Sequence, residues 1–129
     1  MIFLSQDKEA HFNRCIVEKE IKNEILSIVS WRLVPINTDV LGDIIRSSLP
    51  RIQQVCVNAI LDWELQAIER RLYMACRRIK NLGDDNVLYI CSLSSLVTVY
   101  KNLCIPEDLS YFCLDLSDIR LKSSICLFQ

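Results

Sequence analysis

Apolar residues in this chain fall into two alternating spacings, and no single kind of secondary structure satisfies both. From Leu61 to about Leu82 they recur as Leu61, Leu65, Ile68, Leu72, Ala75-Cys76 and Ile79, the step that lays one stripe along a helix. Gly83 stands where a left-handed C-terminal cap is expected. Ala10, Ile16-Val17, Ile21 and Ile25 make a second stripe, so a first helix should run to about Ile25, with Ser5 and Asp7 as candidate caps. Its remaining residues, among them Lys8, Glu9, Arg14, Glu18, Lys19, Lys22 and Glu24, read as an ordinary solvated face.

Between the helical stripes the chain turns β-branched and aromatic. Leu26 to Val34, closed by Pro35, reads as a strand, and Ile52 to Val57 as another. Thr38 or Asp39 should cap a short helix carrying Val40, Leu41, Ile44 and Ile45, which Pro50 ends. Asp84-Asp85-Asn86 reads as a turn. Val87–Ser92 and Leu96–Tyr100 then suggest a hairpin across Leu93-Ser-Ser95, pairing Tyr89 and Cys91 with Val97 and Val99. Ile105-Pro-Glu-Asp opens a short helix, with Pro106 at the first helical position and acids in its first turn. Ser123 to Gln129 reads as a last strand. The order predicts an α+β fold with mostly antiparallel strands. Nothing marks an internal boundary, and the chain ends on that apolar strand. Residues 1–129 are therefore expected to be a single, incomplete segment of a larger domain.

Composition narrows the function. With 129 residues, 15 Lys+Arg against 16 Asp+Glu and a net charge of -1, nothing pulls the chain globally toward nucleic acid or an anionic membrane. Arg70, Arg71, Arg77, Arg78 and Lys80 are the densest basic stretch; they read as a solvated helix face paired with Glu64 and Glu69. The longest uncharged run, Asn86 to Tyr100, is interrupted by Ser92, Ser94, Ser95 and Thr98 and falls short of the roughly 20 apolar residues of a membrane span. No secretory or transit leader is visible in MIFLSQDKEA. Mean hydropathy is high, at +0.23, so part of the apolar surface expects a partner.

Candidate chemistry is sparse. The cysteines are Cys15, Cys56, Cys76, Cys91, Cys104, Cys113 and Cys126, with no CxxC, and His11 is the sole histidine. They read as reduced, buried thiols without a zinc site. Ser92, Ser94 and Ser95 sit in a turn without a nearby base, and Glu107, Asp108, Asp115 and Asp118 read as capping and turn residues. Trp31 and Trp63 read as core or edge residues, not base-stacking platforms. Two glycines cannot build a phosphate loop. From the residues alone, the catalytic, cofactor-binding and metal-ligating sets are all empty.

Several stretches together carry a resemblance. They are Val29-Ser-Trp-Arg-Leu-Val-Pro-Ile36 with Leu41-Gly42, Ser48-Leu-Pro-Arg-Ile-Gln-Gln-Val55, Glu69-Arg-Arg-Leu-Tyr73, and Leu88-Tyr-Ile-Cys-Ser-Leu-Ser-Ser95 with Val99-Tyr-Lys101. Pro106-Glu-Asp-Leu, Tyr111-Phe and Asp115-Leu-Ser-Asp118 continue it. The chain resembles the interior of the class-II glutamine amidotransferase domain in the large subunit of glutamate synthase, over nearly its whole length. The resemblance implies an N-terminal-nucleophile hydrolase sandwich (αββα) and an N-terminal cysteine that releases ammonia from glutamine. It also implies a distant FMN and iron–sulfur domain that uses the ammonia to make glutamate from 2-oxoglutarate. The nucleophile and the glutamine-binding His-Ser-Arg segment have no counterpart here: Gln129 stands at the His position, Leu96 where the family has Arg, and Asn102 where it has Gly. The expectation is a scaffold segment, inactive alone, with the rest of the polypeptide as partner, glutamine as the parent's substrate and ferredoxin as its electron donor. Isoleucine far outnumbers alanine, as in an AT-rich gene, which suggests the plastid stroma or, alternatively, a bacterial cytoplasm. The other reading is a small non-catalytic interaction or regulatory module retaining part of the fold.

Overall fold

The computed structural model describes residues 1–5, 9–82, 88–101 and 106–125. In chain order the elements are β1 (Ile2–Leu4), α1 (Glu9–Asn23), β2 (Ser27–Leu33), a 3-10 turn (Thr38–Val40), α2 (Asp43–Ser47) and β3 (Arg51–Asn58). After these come α3 (Leu65–Leu82), β4 (Leu88–Ile90), a 3-10 turn (Pro106–Asp108), α4 (Leu109–Phe112) and a 3-10 turn (Leu114–Ser117). They fall into two units, Met1–Leu33 with Pro50–Val99, and Val34–Leu49 with Tyr100–Gln129.

The first unit is a four-stranded sheet in the order β2-β3-β1-β4, antiparallel at every pairing. Ile2 and Leu4 of β1 and Leu88 and Ile90 of β4 bury against Val17 and Ile21 of α1 and Leu72, Ala75 and Ile79 of α3. Alternation along the strands sends Phe3 and Tyr89 to the opposite face, where the rings meet at 6.1 Å. The α+β, antiparallel expectation agrees with this sheet. The strand β1 was not foreseen, because three residues show no period and owe their strand geometry to their partners. Gln53 and Ile90 flank Ile2 on its two sides.

Helix α1 ends two residues before Ile25. Leu26 N donates to Ile21 O and Ile25 N to Lys22 O, the paired bonds of a Schellman cap. Ile25 takes the left-handed position, at φ 61°. At the other end Ser5 does not cap: its hydroxyl is buried without a hydrogen-bond partner among the described residues, and Asp7 lies outside them. Helix α3 begins at Leu65, not Leu61; Trp63 N closes a turn on Ile60 O, and Leu61 is fully exposed.

The expected hairpin does not form. Residues 88–90 pair with β1, and residues 96–100 carry no strand. Serine side chains take the amides a ladder would need: Ser94 Oγ accepts from Leu96 N (3.0 Å) and Val97 N (3.2 Å), and Ser92 Oγ from Val99 N (3.1 Å). The terminal strand is not seen in its described part either; Ser123 Oγ donates to Ile125 O at 2.6 Å. Residues 126–129, the expected Gly83 cap and the 84–86 turn lie outside the described residues.

In the second unit a bridge joins Ile36 to Cys113, with Asn37 N donating to Phe112 O at 2.8 Å. The expected helix over 38–49 is two pieces. Asn37, not Thr38 or Asp39, supplies the cap, its Oδ1 accepting from Asp39 N, and Gly42 precedes α2. Pro106 opens its 3-10 turn, which runs on into α4, as the sequence predicts.

Candidate functional site

The segment that follows β4 is held by polar contacts, and one carboxylate organises it. Glu69, on the first half of α3, accepts from Ser94 Oγ (2.7 Å), Ser95 N (2.6 Å) and Ser95 Oγ (2.5 Å). Ser94 Oγ in turn holds the amides of Leu96 and Val97. At the other end, the Met1 nitrogen donates to Ser92 O at 2.7 Å. Burial by itself would raise the Glu69 carboxyl, but the Ser95 hydroxyl, the Ser94 hydroxyl and the Ser95 amide outweigh it and hold the group below the ordinary carboxylate range.

This segment forms the polar rim of a cleft of about 300 Å³. Leu26, Val55, Val57, Ile68, Leu72 and Leu93 give its apolar wall, with Asn58, Ser94 and Ser95 at the rim. Stretches far apart in sequence therefore converge here: the one ending at Val55, the one beginning at Glu69, and the one ending at Ser95. The cleft offers hydroxyls and an amide but no nucleophile–base pair, since the acceptor beside the serines is a carboxylate already satisfied by three donors.

The other sequence candidates are placed differently. Glu69 does not pair with the α3 arginines. Arg78 bonds Glu20 (3.0 Å) and Glu24 of α1, and Arg71 pairs with Glu24 at 3.7 Å and stacks on Trp63 at 4.1 Å, leaving Arg70, Arg77 and Lys80 exposed. Trp31 Nε1 donates to Glu18 at 2.9 Å under the Arg14 guanidinium, an edge role as expected. In the second unit, Asp115 accepts from Tyr100 Oη, and Asp118 is held by Arg120, which keeps its carboxyl below the usual range. Those acids do not gather into a cation site. Cys113 is buried and Cys76 and Cys91 half-buried, but Cys15 and Cys56 are exposed, against the expectation of buried thiols. Cys104 and Cys126 lie outside the described residues, as do Asn102 and Gln129; Leu96 projects into solvent. Among the described residues no three His, Cys, Asp or Glu side chains converge as a metal set, and no helix is long and apolar enough to cross a membrane.

The role of Glu69 was missed in the sequence although it begins one of the quoted stretches. Helical spacing to nearby arginines offered it a local partner, and the serines that claim it lie 25 and 26 residues on.

Comparison with known proteins bears on the whole chain. Residues 1–129 match the family model described as glutamine amidotransferases class-II. The chain is 35% identical over 135 residues to the chloroplastic ferredoxin-dependent glutamate synthase of Oryza sativa subsp. japonica. It is 37% identical over 119 residues to the glutamate synthase (NADPH) large chain of Azospirillum brasilense, and 35% identical over 131 to ferredoxin-dependent glutamate synthase 2 of Synechocystis sp.. The alignments cover 100%, 90% and 100% of this chain but 8% of each relative.

Proposed function

The chain belongs to the class-II glutamine amidotransferase family, and from that premise we propose that it serves as scaffold within the glutaminase domain of a glutamate synthase. The parent reaction takes ammonia from glutamine and forms glutamate from 2-oxoglutarate. The observation that carries this reading is the convergence at Glu69. The most specific stretch of the resemblance, Leu88–Ser95, is tied by three donors to the carboxylate that begins another.

The first unit supplies a sheet with helices on one face and the Phe3–Tyr89 pair on the other, which is one β layer and one α layer of the proposed αββα sandwich. The reaction's nucleophile is assigned to the rest of the polypeptide, because the serine segment carries no base and no described cysteine lies at the cleft. The parent's FMN and iron–sulfur cluster do not fit these residues. Among the described residues no cysteine gathers with two or more further ligands, and two glycines supply no phosphate cradle. Ferredoxin as electron donor is favoured by the names of the rice and Synechocystis relatives, and a plastid setting by that of the rice relative, with a bacterial cytoplasm as the alternative.

Sequencing the coding DNA on both sides tests the reading. The scaffold role requires the same reading frame to continue family sequence on at least one side. Stop codons bounding residues 1–129, with a promoter, would instead favour a small interaction module.

A further inference from the structure

One turn of α1 places a nucleophile and a base side by side in the open. Cys15 Sγ and His11 Nδ1 lie 3.6 Å apart, within hydrogen-bonding distance for sulfur, at an i,i+4 spacing, and both residues are exposed. The helix that carries them is fixed from its other side, where Asn13, Val17, Glu20 and Ile21 are buried. The charge around the pair favours an anion. Lys19 is exposed one turn beyond Cys15, while the carboxylate of Glu18 accepts from Trp31 Nε1 at 2.9 Å and lies 4.0 Å from both Arg14 and Lys22. Cys56, the other exposed thiol among the described residues, has no such setting. It alternates along β3 with Val55 and Val57, which pack toward the helices, and so leaves by the opposite face, away from the sole histidine.

With the imidazole protonated at Nε2, the Cys15 thiol donates to His11 Nδ1, the arrangement of a nucleophile with its base in contact. Disulfides are attacked by thiolates, not thiols, so a base in contact supplies what that reaction needs. We propose that Cys15 is a modification site that exchanges with a small anionic disulfide, with His11 as its base. The thiol proton passes to Nδ1, the Cys15 sulfur bonds to one sulfur of the small disulfide, and the bond between its two sulfurs breaks. The departing half leaves as a thiolate and takes the proton back from His11. Cys15 is thereby oxidised to a mixed disulfide and the departing sulfur is reduced to a thiol, so no further oxidant enters. Lys19, one turn on, is placed to pair with a carboxylate of the small molecule, which sets the anionic preference. The site stands on α1, lines no part of the Glu69 cleft and is independent of the glutaminase reading.

Oxidised glutathione is the anionic probe and bis(2-hydroxyethyl) disulfide the neutral one. The full chain, reduced and freed of reductant, is incubated with each, and mass spectrometry of acid-quenched digests follows the adduct at each cysteine. Cys15 should be modified about tenfold faster than Cys56, or more, as a base in contact provides. His11→Gln should remove that advantage and leave Cys56 unchanged. Lys19→Gln should slow Cys15 with oxidised glutathione but not with the neutral disulfide. Unfolding in urea should bring the two cysteines to comparable rates. A Cys15 no faster than Cys56, a Cys15 rate unaltered by His11→Gln, a preference that persists in urea, or a Lys19→Gln variant that treats both probes alike would each overturn the proposal. The substitutions lie on a solvated helix face, and far-ultraviolet circular dichroism checks that the helix is retained.

Discussion

Among the described residues, Ile25 is the one non-glycine residue at positive φ. It occupies the left-handed position of a Schellman cap, where glycine is usual and a β-branched side chain crowds the backbone by about 1–2 kcal/mol. It is 60% exposed, so little packing is lost by removing it. Ile25→Gly should raise stability by about 1 kcal/mol, read as a higher urea midpoint at unchanged slope. Glu69 gives the second test at this scale. Its folded carboxyl lies below the ordinary value, so the native state binds fewer protons than the unfolded one in the acid range. The stabilisation is complete above the unfolded value of about 4.3 and is lost as pH falls through the folded one. Wild type should therefore exceed Glu69→Gln in stability at neutral pH, and the gap should close on acidification. A gap that stays constant down to pH 3 would show that the carboxylate charge is not what holds the serines.

Among elements, α1 and α3 are joined by ions as well as by apolar packing. Glu20 is 5% exposed and depends on Arg78, which also reaches Glu24, while Arg71 Nη1 donates to the Glu24 carbonyl near the end of α1. Arg78→Ala leaves a buried carboxylate without its cation. The expected cost is about 2 kcal/mol, below the full value for a buried pair because the arginine is itself partly solvated. Adding Glu20→Gln should recover part of it, and a double-mutant cycle by urea denaturation measures the coupling. Elements with a sustained period were legible in the sequence: α3, β2 and β3 lie where Leu61–Leu82, Leu26–Val34 and Ile52–Val57 place them, to within a few residues. What escaped was set by distant partners. β1 exists through Gln53 and Ile90, and residues 96–100 are kept from pairing by hydroxyls that Glu69 and the local turn position.

At the scale of the molecule, the two units carry different parts of the reading. The first holds the sheet, the helices and the Glu69 cleft; the second is made of short helical turns around Phe112 and Cys113. The family was legible because its stretches are contiguous words, such as Leu88–Ser95, that survive without the rest of the site. The site itself was not, because it is assembled by the fold from stretches separated by dozens of residues. We propose that these residues shape a glutaminase domain without performing its chemistry. Ammonia release from glutamine by purified residues 1–129, followed with a coupled dehydrogenase assay, tests it most directly. The expected rate equals the buffer control at saturating glutamine; turnover above that control, abolished in a Ser94→Ala or single-cysteine variant, would refute a purely structural role.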